Sequence, residues 1–171
     1  MSPAIVFQLD LVLGYAPWLL YFATYLWPRI RAADSAEAQR AIATLHSFRF
    51  FGLVFLVPGV VGTGLPSDFA AFAAYGDFAT GVLAMLALLA YGFRPLFFAL
   101  VVAFNVVGFV DILVDYYHGV AIGLADFAGE LGATYAIPII YVPLLMITHV
   151  AAFYLLAREP AMARAIRSSS L

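Results

Sequence analysis

Long apolar runs dominate this chain, and each is close to the length that a helix needs to cross a lipid bilayer. Five runs can be distinguished, at about residues 4–27, 47–65, 70–92, 95–117 and 134–157. About 20 apolar residues in an α-helix cover the roughly 30 Å hydrocarbon core of a membrane. The sequence therefore predicts an all-α, polytopic integral membrane protein, in which residues 1–171 form a single domain with five transmembrane helices.

The overall composition agrees with a lipid environment. Of the 171 residues, 65% are hydrophobic and only 11% are charged. A soluble domain has about 45–50% apolar and about 25% charged residues. We therefore expect the lipid bilayer to surround most of the chain. The sequence contains no basic tract that would predict binding to nucleic acid.

The basic residues predict an orientation in the membrane. All eight are arginines, and with five spans they all fall on one side, namely Arg29, Arg31, Arg40, Arg49, Arg94, Arg158, Arg164 and Arg167. Basic residues are enriched in the cytoplasmic loops of membrane proteins. We therefore expect a bacterial inner-membrane protein with its N-terminus outside and its C-terminus in the cytoplasm.

The residue types that are missing exclude several kinds of site. The chain contains no cysteine and no lysine. Without cysteine there are no disulfides, iron–sulfur clusters, thiolate zinc sites or covalently attached c-type haem. Without lysine there is no amine to form the Schiff base of a retinal protein.

A stripe of polar side chains marks one face of the fourth run. Its members are Asn105, Asp111, Asp115 and His118, and together with Gly108 they recur at intervals of three or four residues, as on one face of a helix. Asp10 and Asp77 lie at a similar depth in the outer half of the membrane, and such groups face the bundle interior. Because we expect no arginine at this level, the acids share protons, bind a cation or are hydrated. Alternatively, they only form hydrogen bonds that hold the bundle together.

Two histidines in the inner half suggest a haem site. His46 lies near the cytoplasmic start of the second run, and His149 lies at a comparable depth in the fifth. Neutral imidazoles from two helices at one level supply both axial ligands of a b-type haem. The leading hypothesis is therefore a membrane haem b protein, with His46 and His149 on the iron, for electron transfer or for redox or light sensing.

Arg49 strengthens the haem hypothesis, because the inner half offers no acid to pair with it. Haem propionates would supply the missing anions, with Arg40 and Arg94 as further partners. Gly52 and Gly59 leave room for a flat macrocycle against the second run. Alternatively, Arg49 extends to lipid phosphate and the glycines pack helices together.

Several short phrases cover most of residues 46–156. They are His46-Ser-Phe-Arg49-Phe-Phe-Gly52, Leu65-Pro66-Ser-Asp-Phe69 with Gly76-Asp77, Gly108-Phe-Val-Asp111, and Ile137-Pro138 with Val142-Pro143-Leu-Leu and His149. In these phrases the chain resembles a family of small uncharacterised bacterial multi-helix inner-membrane proteins. The resemblance implies a helical membrane bundle and implies no activity.

Two other functions remain open at this point. The first is a proton- or cation-coupled transporter or channel that uses the outer acids. The second is a membrane enzyme acting on a lipid or quinone, with His118 and an acid as general acid and base. For the haem hypothesis we also expect a redox partner. Under each hypothesis we expect a homodimer formed through a glycine-rich face.

Overall fold

The chain is helical throughout the part that the structure describes. This computed structural model describes the backbone of residues 1–169 and the side chains of residues 1–158, and within these limits it contains no β-strand. Four helices are long and apolar enough to span a membrane, namely Pro3–Ala32, Ser67–Leu89, Arg94–Ala121 and Ile137–Arg158. The all-α class is therefore confirmed. The side chains of Arg164 and Arg167, both predicted to face the cytoplasm, lie outside the described residues.

The main helices follow one another with short connections. We number them α1 (Pro3–Ala32), α2 (Ser35–Ser47), α3 (Ser67–Leu89), α4 (Arg94–Ala121) and α5 (Val142–Ser169). A 3₁₀ helix, Phe48–Leu56, extends α2, and a second 3₁₀ segment, Leu124–Tyr135, follows α4. A π-helical turn, Ile137–Tyr141, leads into α5. Four predicted spans thus correspond to observed helices with shifted ends.

The helix starts have local causes in the sequence. The Ser2 hydroxyl accepts a hydrogen bond from Ile5 N at 3.4 Å, and the Asp34 carboxylate accepts one from Ala36 N at 3.1 Å. Such caps satisfy backbone N–H groups that the first turn of a helix leaves free. Pro95 occupies the first turn of α4, where its missing N–H costs nothing.

Residues 47–65 do not form the continuous membrane-spanning helix that the sequence predicts. The chain leaves the α-helical conformation at Phe48, forms the 3₁₀ helix to Leu56, and continues as a turn. Pro58 cannot continue a helix, and Gly59 adopts a φ of +81°, which only glycine adopts readily. The second apolar run is therefore not a continuous α-helix.

Prolines also explain the π-helical turn before α5. Pro143 has no N–H for the carbonyl four residues earlier, so the turn Ile137–Tyr141 widens. The Trp18 indole N–H of α1 donates to the Ile140 carbonyl at 2.7 Å. A neighbouring helix thus satisfies a backbone group that the widened turn exposes, as membrane helices with internal prolines require.

The elements meet at two opposite ends of the bundle. At the arginine end, the guanidinium groups of Arg40 and Arg94 lie 4.6 Å and 4.9 Å from the centre of the Tyr91 ring. At the loop end, Gly62 N donates to the Glu130 carbonyl at 2.7 Å and thereby joins the turn 57–66 to Leu124–Tyr135.

The segment formed by α2 and its 3₁₀ extension runs antiparallel to α3. Three pairs in close contact follow in order along the segment, namely Glu37 with Tyr91, Phe50 with Gly81 and Gly52 with Asp77. The hydrogen bond that Tyr91 donates to the Glu37 carboxylate raises the pKa of the Tyr91 hydroxyl. The segment therefore leads from the arginine end to the loop end.

Buried polar side chains form a layer between two apolar cores. The core near the arginine end includes Ala84, Phe97 and Ala152, and the core near the loop end includes Phe7 and Phe69. Between them lies what we call the polar layer, which consists of His46, Arg49, Asp77, Thr80, Asn105, Asp111, Thr148 and His149. Burial of polar groups is costly unless they form hydrogen bonds or ion pairs, so the polar layer is the first place to look for a functional site.

Candidate functional site

Arg49 lies at the centre of the polar layer and is only 1% exposed. Its Nε donates to Asp77 Oδ1 and its Nη2 donates to Asp111 Oδ2, each at 2.6 Å. Its Nη1 reaches the Gly108 carbonyl at 3.1 Å and His149 Nε2 at 3.3 Å. The planar guanidinium thus binds two carboxylates from α3 and α4 through charge-assisted hydrogen bonds.

This arrangement overturns two steps of the sequence argument. The acids were expected at a level without an arginine, and Arg49 was expected to lack an acidic partner. Instead, Asp77 and Asp111 both form ion pairs with Arg49. The second predicted span begins at residue 47, which places Arg49 near the arginine end. The helix instead begins at Ser35 and therefore carries Arg49, with its long side chain, deeper into the bundle.

Glycines allow the ion pairs to form. A methyl group added to Gly52 would overlap the Asp77 side chain, and one added to Gly108 would lie 2.6 Å from Thr80 Cγ2. Contacts this short exclude a β-carbon unless the structure shifts. The predicted glycine-lined face therefore exists at Gly52, where it accommodates Asp77. Gly59 lies in the turn, and a methyl group there would meet nothing within 4 Å.

The structure brings the two predicted haem ligands together. His46 and His149 are both fully buried, and their ring centres are 4.0 Å apart with an angle of 43° between the rings. His149 Nδ1 lies 2.9 Å from Asn105 Oδ1, and His46 Nε2 lies 3.0 Å from Thr148 Oγ1. The Nε2 atoms of both imidazoles thus already have polar partners.

The neighbouring hydrogen bonds assign the proton positions on both rings. Asn105 Nδ2 donates to a backbone carbonyl, so Asn105 Oδ1 accepts from His149 Nδ1–H, and His149 Nε2 accepts from Arg49. The Thr148 hydroxyl donates to backbone carbonyls and therefore accepts from His46 Nε2–H. This assignment leaves His46 Nδ1 as an acceptor, and that atom has no hydrogen-bond partner in the part of the chain whose side chains are described.

A third carboxylate, Asp115, lies one helical turn beyond Asp111 on α4. The residue is half-buried, and its Oδ1 atom has no hydrogen-bond partner among residues 1–158. Arg49 thus pairs with two carboxylates, and Asp115 is a third that lines the same cavity. An apolar environment does not tolerate two uncompensated negative charges, so protons or a cation must balance the surplus.

A cavity of about 240 Å³ adjoins the polar layer on the side of the loop end. Its walls are mostly apolar and come from α1, α3, α4, both 3₁₀ segments and the start of α5. Its polar lining consists of Gln8, Arg49, Asp77, Asp115 and Tyr116. The cavity thus has carboxylates on one side and apolar walls elsewhere, a combination that is typical of small-molecule binding sites.

The family assignment covers this whole arrangement. Residues 6–157 match the family described as "Domain of unknown function (DUF8737)". The chain belongs to DUF8737. The matched range contains every member of the polar layer and every residue that lines the cavity. No curated protein and no solved structure matches the chain.

Three of the predicted outer-half residues, Asp10, Asp115 and His118, lie outside the polar layer of this DUF8737 chain. The Asp10 carboxylate accepts a hydrogen bond from the Tyr135 hydroxyl at 2.9 Å near the loop end. His118 contacts the edge of the Phe72 ring, with 4.9 Å between ring centres. The structure thus brings Asp77 and Asp111 together at Arg49, with Asp115 one helical turn from Asp111, whereas Asp10 and His118 lie apart from them.

Arg40 and Arg94 lie at the surface of the arginine end. Arg40 forms an ion pair with Glu37 at 3.7 Å, and Arg94 forms one with Asp34 at 3.9 Å. Neither contacts the histidines, so the structure does not bring these two predicted propionate ligands to the polar layer.

Sequence reasoning missed Gln39, which is fully buried on α2 and donates to the Ala152 carbonyl at 2.9 Å. Gln39 precedes His46 by seven residues, which is two helical turns and therefore the same face. The spacing could have indicated that Gln39 faces the bundle interior, but many residues of α2 are polar and Gln39 did not stand out among them. Among the described residues, no group of three or more His, Asp or Glu side chains is arranged to hold a metal ion.

Proposed function

We propose that the protein is a proton-coupled membrane transporter in which Asp77, Asp111 and Asp115 bind and release protons around Arg49. One observation carries this proposal: a buried guanidinium pairs with two carboxylates, and a third carboxylate, Asp115, lines the same cavity and has an oxygen without a hydrogen-bond partner among residues 1–158. Such a surplus of acids in an apolar interior requires exchangeable positive charge. Proton occupancy then decides how strongly Arg49 holds α3 and α4.

We further propose that the chain crosses the bilayer five times, with its N-terminus outside and its C-terminus in the cytoplasm. The 13 residues of α2 and the nine of its 3₁₀ extension cover about 37 Å at 1.5 and 2.0 Å per residue, enough for a crossing. The antiparallel contacts with α3 support this fifth crossing. The arginines at one end support the orientation.

A row of buried polar atoms supports proton exchange with the arginine end. Four buried side-chain atoms have no hydrogen-bond partner among residues 1–158, namely Ser35 Oγ, Gln39 Oε1, His46 Nδ1 and Asp115 Oδ1. The first three follow the inner face of α2 from the arginine end to the polar layer. There the His46 ring packs against His149, whose Nε2 atom accepts from Arg49. The guanidinium of Arg49 holds the acids but keeps its own protons. Imidazoles are suited to pass protons along such a row.

Infrared difference spectroscopy of the protein in lipid tests the proposal. We expect a change of pH to alter a protonated-carboxyl C=O band that is reduced in Asp115→Asn. The matched control is Asp68→Asn, which removes an exposed carboxylate from the start of α3 and leaves the band unchanged. Identical pH-dependent bands in the wild type and Asp115→Asn would contradict a proton site at Asp115.

A b-type haem held by His46 and His149 is the second candidate, for electron transfer or redox or light sensing. The proximity of the two rings favours it. Axial ligation requires one nitrogen of each ring to face the iron, so the rings would have to separate and the bonds to Thr148 or Arg49 rearrange. An absorption spectrum tests this: a Soret band that disappears in His46→Ala and His149→Ala supports haem. A colourless protein from haem-replete cells contradicts it.

A further inference from the structure

We infer that the cavity beside Asp115 is the substrate site and that it takes a small lipophilic amine in its cationic form. The ammonium group binds the Asp115 carboxylate, and the apolar part occupies the chamber towards the loop end. This inference rests on the proposed proton coupling and adds the chemical class of the substrate to it.

The lining of the cavity selects an amphiphilic molecule. Apolar side chains from six elements form most of the wall, including Phe7, Phe69, Ile112 and Leu131. The charged groups of the lining, Arg49, Asp77 and Asp115, lie where the cavity meets the polar layer. A ligand that fits both surfaces has one polar head and an apolar body. The volume of about 240 Å³ is below the roughly 300–1,000 Å³ of drug-sized pockets, so we expect a molecule with a single ring.

The free hydrogen-bonding atoms of the cavity favour a ligand whose polar end donates hydrogen bonds. Arg49 already directs N–H groups to Asp77, Asp111, Gly108 and His149, which uses at least four of its five. An acidic ligand would therefore find almost no free donor. The buried oxygen of Asp115, in contrast, is a free acceptor.

The charge balance selects a cation over a neutral donor. Around Arg49 the carboxylates outnumber the guanidinium by two, so a positive head lowers the electrostatic energy of the site. The rings of Phe7, Phe55, Phe69 and Tyr116 also line the chamber. Aromatic rings attract a cation, and they do so more strongly when the cation is desolvated.

Competition for Asp115 links the amine to the proton. When the carboxyl group is protonated, it cannot pair with an ammonium group. When the ammonium group binds, Asp115 has released its proton to solvent, and no covalent bond of the amine forms or breaks. One proton and one amine thus exchange at a single oxygen, which is the stoichiometry of an antiporter.

Isothermal titration calorimetry of the purified protein in lipid nanodiscs tests the inference. The probes are 2-phenylethylamine, the neutral 2-phenylethanol and the anionic phenylacetate. We expect the amine to bind at least tenfold more tightly than either analogue. The binding heat should also depend on the ionisation enthalpy of the buffer, because a proton is released. Equal or tighter binding of the alcohol or the acid would overturn the inference.

Two variants locate the site, and one serves as a control. Asp115→Asn should weaken amine binding at least tenfold, and Asp68→Asn should leave it unchanged. Ala73→Leu places a larger side chain in the cavity wall and should abolish binding without altering any charge. If Asp115→Asn does not fold, Ala73→Leu still decides, because unchanged amine binding in that variant would place the ligand elsewhere.

The calorimetric and infrared results separate the two proposals. If the Asp115-dependent infrared band is present and no amine binds, the substrate class is wrong while the proton site stands. If the amine binds at Asp115 without proton release and the band is absent, the proton coupling is wrong while the cation site stands.

Discussion

At the scale of single residues, Arg49 joins the bundle together through its charge and its shape. Its guanidinium holds Asp77 on α3 and Asp111 on α4 at 2.6 Å each. Burial of a charge is costly unless it is paired, and loss of one partner leaves the others uncompensated. The stability of the polar layer therefore depends on this one side chain.

Replacing Arg49 with methionine should destabilise the protein by about 3–5 kcal/mol, because two buried carboxylates lose their counter-charge. Arg49→Lys should restore little of this, since an ammonium group lacks the planar fork that reaches both acids. Thermal unfolding of the protein in detergent measures the loss. Arg40→Gln is the control and should change stability by no more than about 0.5 kcal/mol, because the Arg40 side chain is 52% exposed. Equal effects of the two substitutions would contradict a central role for Arg49.

Gly52→Ala should destabilise the protein by about 1–3 kcal/mol, because the added methyl group overlaps the Asp77 side chain. The measurement is again thermal unfolding. Gly129→Ala is the matched control, since its methyl group would meet nothing within 4 Å. If Gly52→Ala proves as stable as Gly129→Ala, the packing of the 3₁₀ helix against Asp77 is looser than described.

At the scale of elements, the turn 57–66 depends on Glu130. The Glu130 carbonyl accepts from Gly62 N at 2.7 Å, and its carboxylate accepts from Gly64 N at 2.9 Å. Both bonds tie the end of the second segment to Leu124–Tyr135, which also walls the cavity. This contact therefore holds the loop end of the cavity in place.

Glu130→Ala should loosen the turn while the backbone bond to Gly62 remains. We expect faster amide hydrogen exchange in a peptide covering residues 57–66 and unchanged exchange in residues 35–47, measured by mass spectrometry. Local opening of this kind reports the stability of one segment rather than of the whole chain. Asp126→Ala, which removes an exposed acid from the same 3₁₀ segment, is the control. Equal exchange in both variants would contradict the role of the Glu130 carboxylate.

The elements also mark how far sequence reasoning reached. The polar face of α4 was predictable, because intervals of three and four residues place Asn105 and Asp111 on one side of a helix. The pairing of Arg49 with Asp111 was not, because they are 62 positions apart and only the packing of 3₁₀ helix, α3 and α4 brings them together. The apolar runs could be identified from the sequence, but the 3₁₀ conformation of the second run could not. The homodimer and the lipid- or quinone-directed enzyme stay predictions.

At the scale of the whole molecule, the absence of cysteine from the sequence makes topology directly measurable. Ala33→Cys lies at the arginine end and Thr63→Cys at the loop end, and both positions are exposed. With five crossings, a membrane-impermeant thiol reagent should label Thr63→Cys from outside the cell and Ala33→Cys only after the membrane is opened. If both positions react from the same side, the second segment does not cross and the chain has four spans.

The position of the polar layer has an electrical consequence. Asp77 is the eleventh of the 23 residues of α3, so the acids lie about halfway between the two ends of that helix. One elementary charge that crosses the whole membrane gains or loses about 2.3 kcal/mol per 100 mV, and a charge that stops halfway experiences roughly half of that. Protonation of the acids would thus depend on the transmembrane voltage as well as on pH, and the direction of that dependence would reveal from which side the proton arrives.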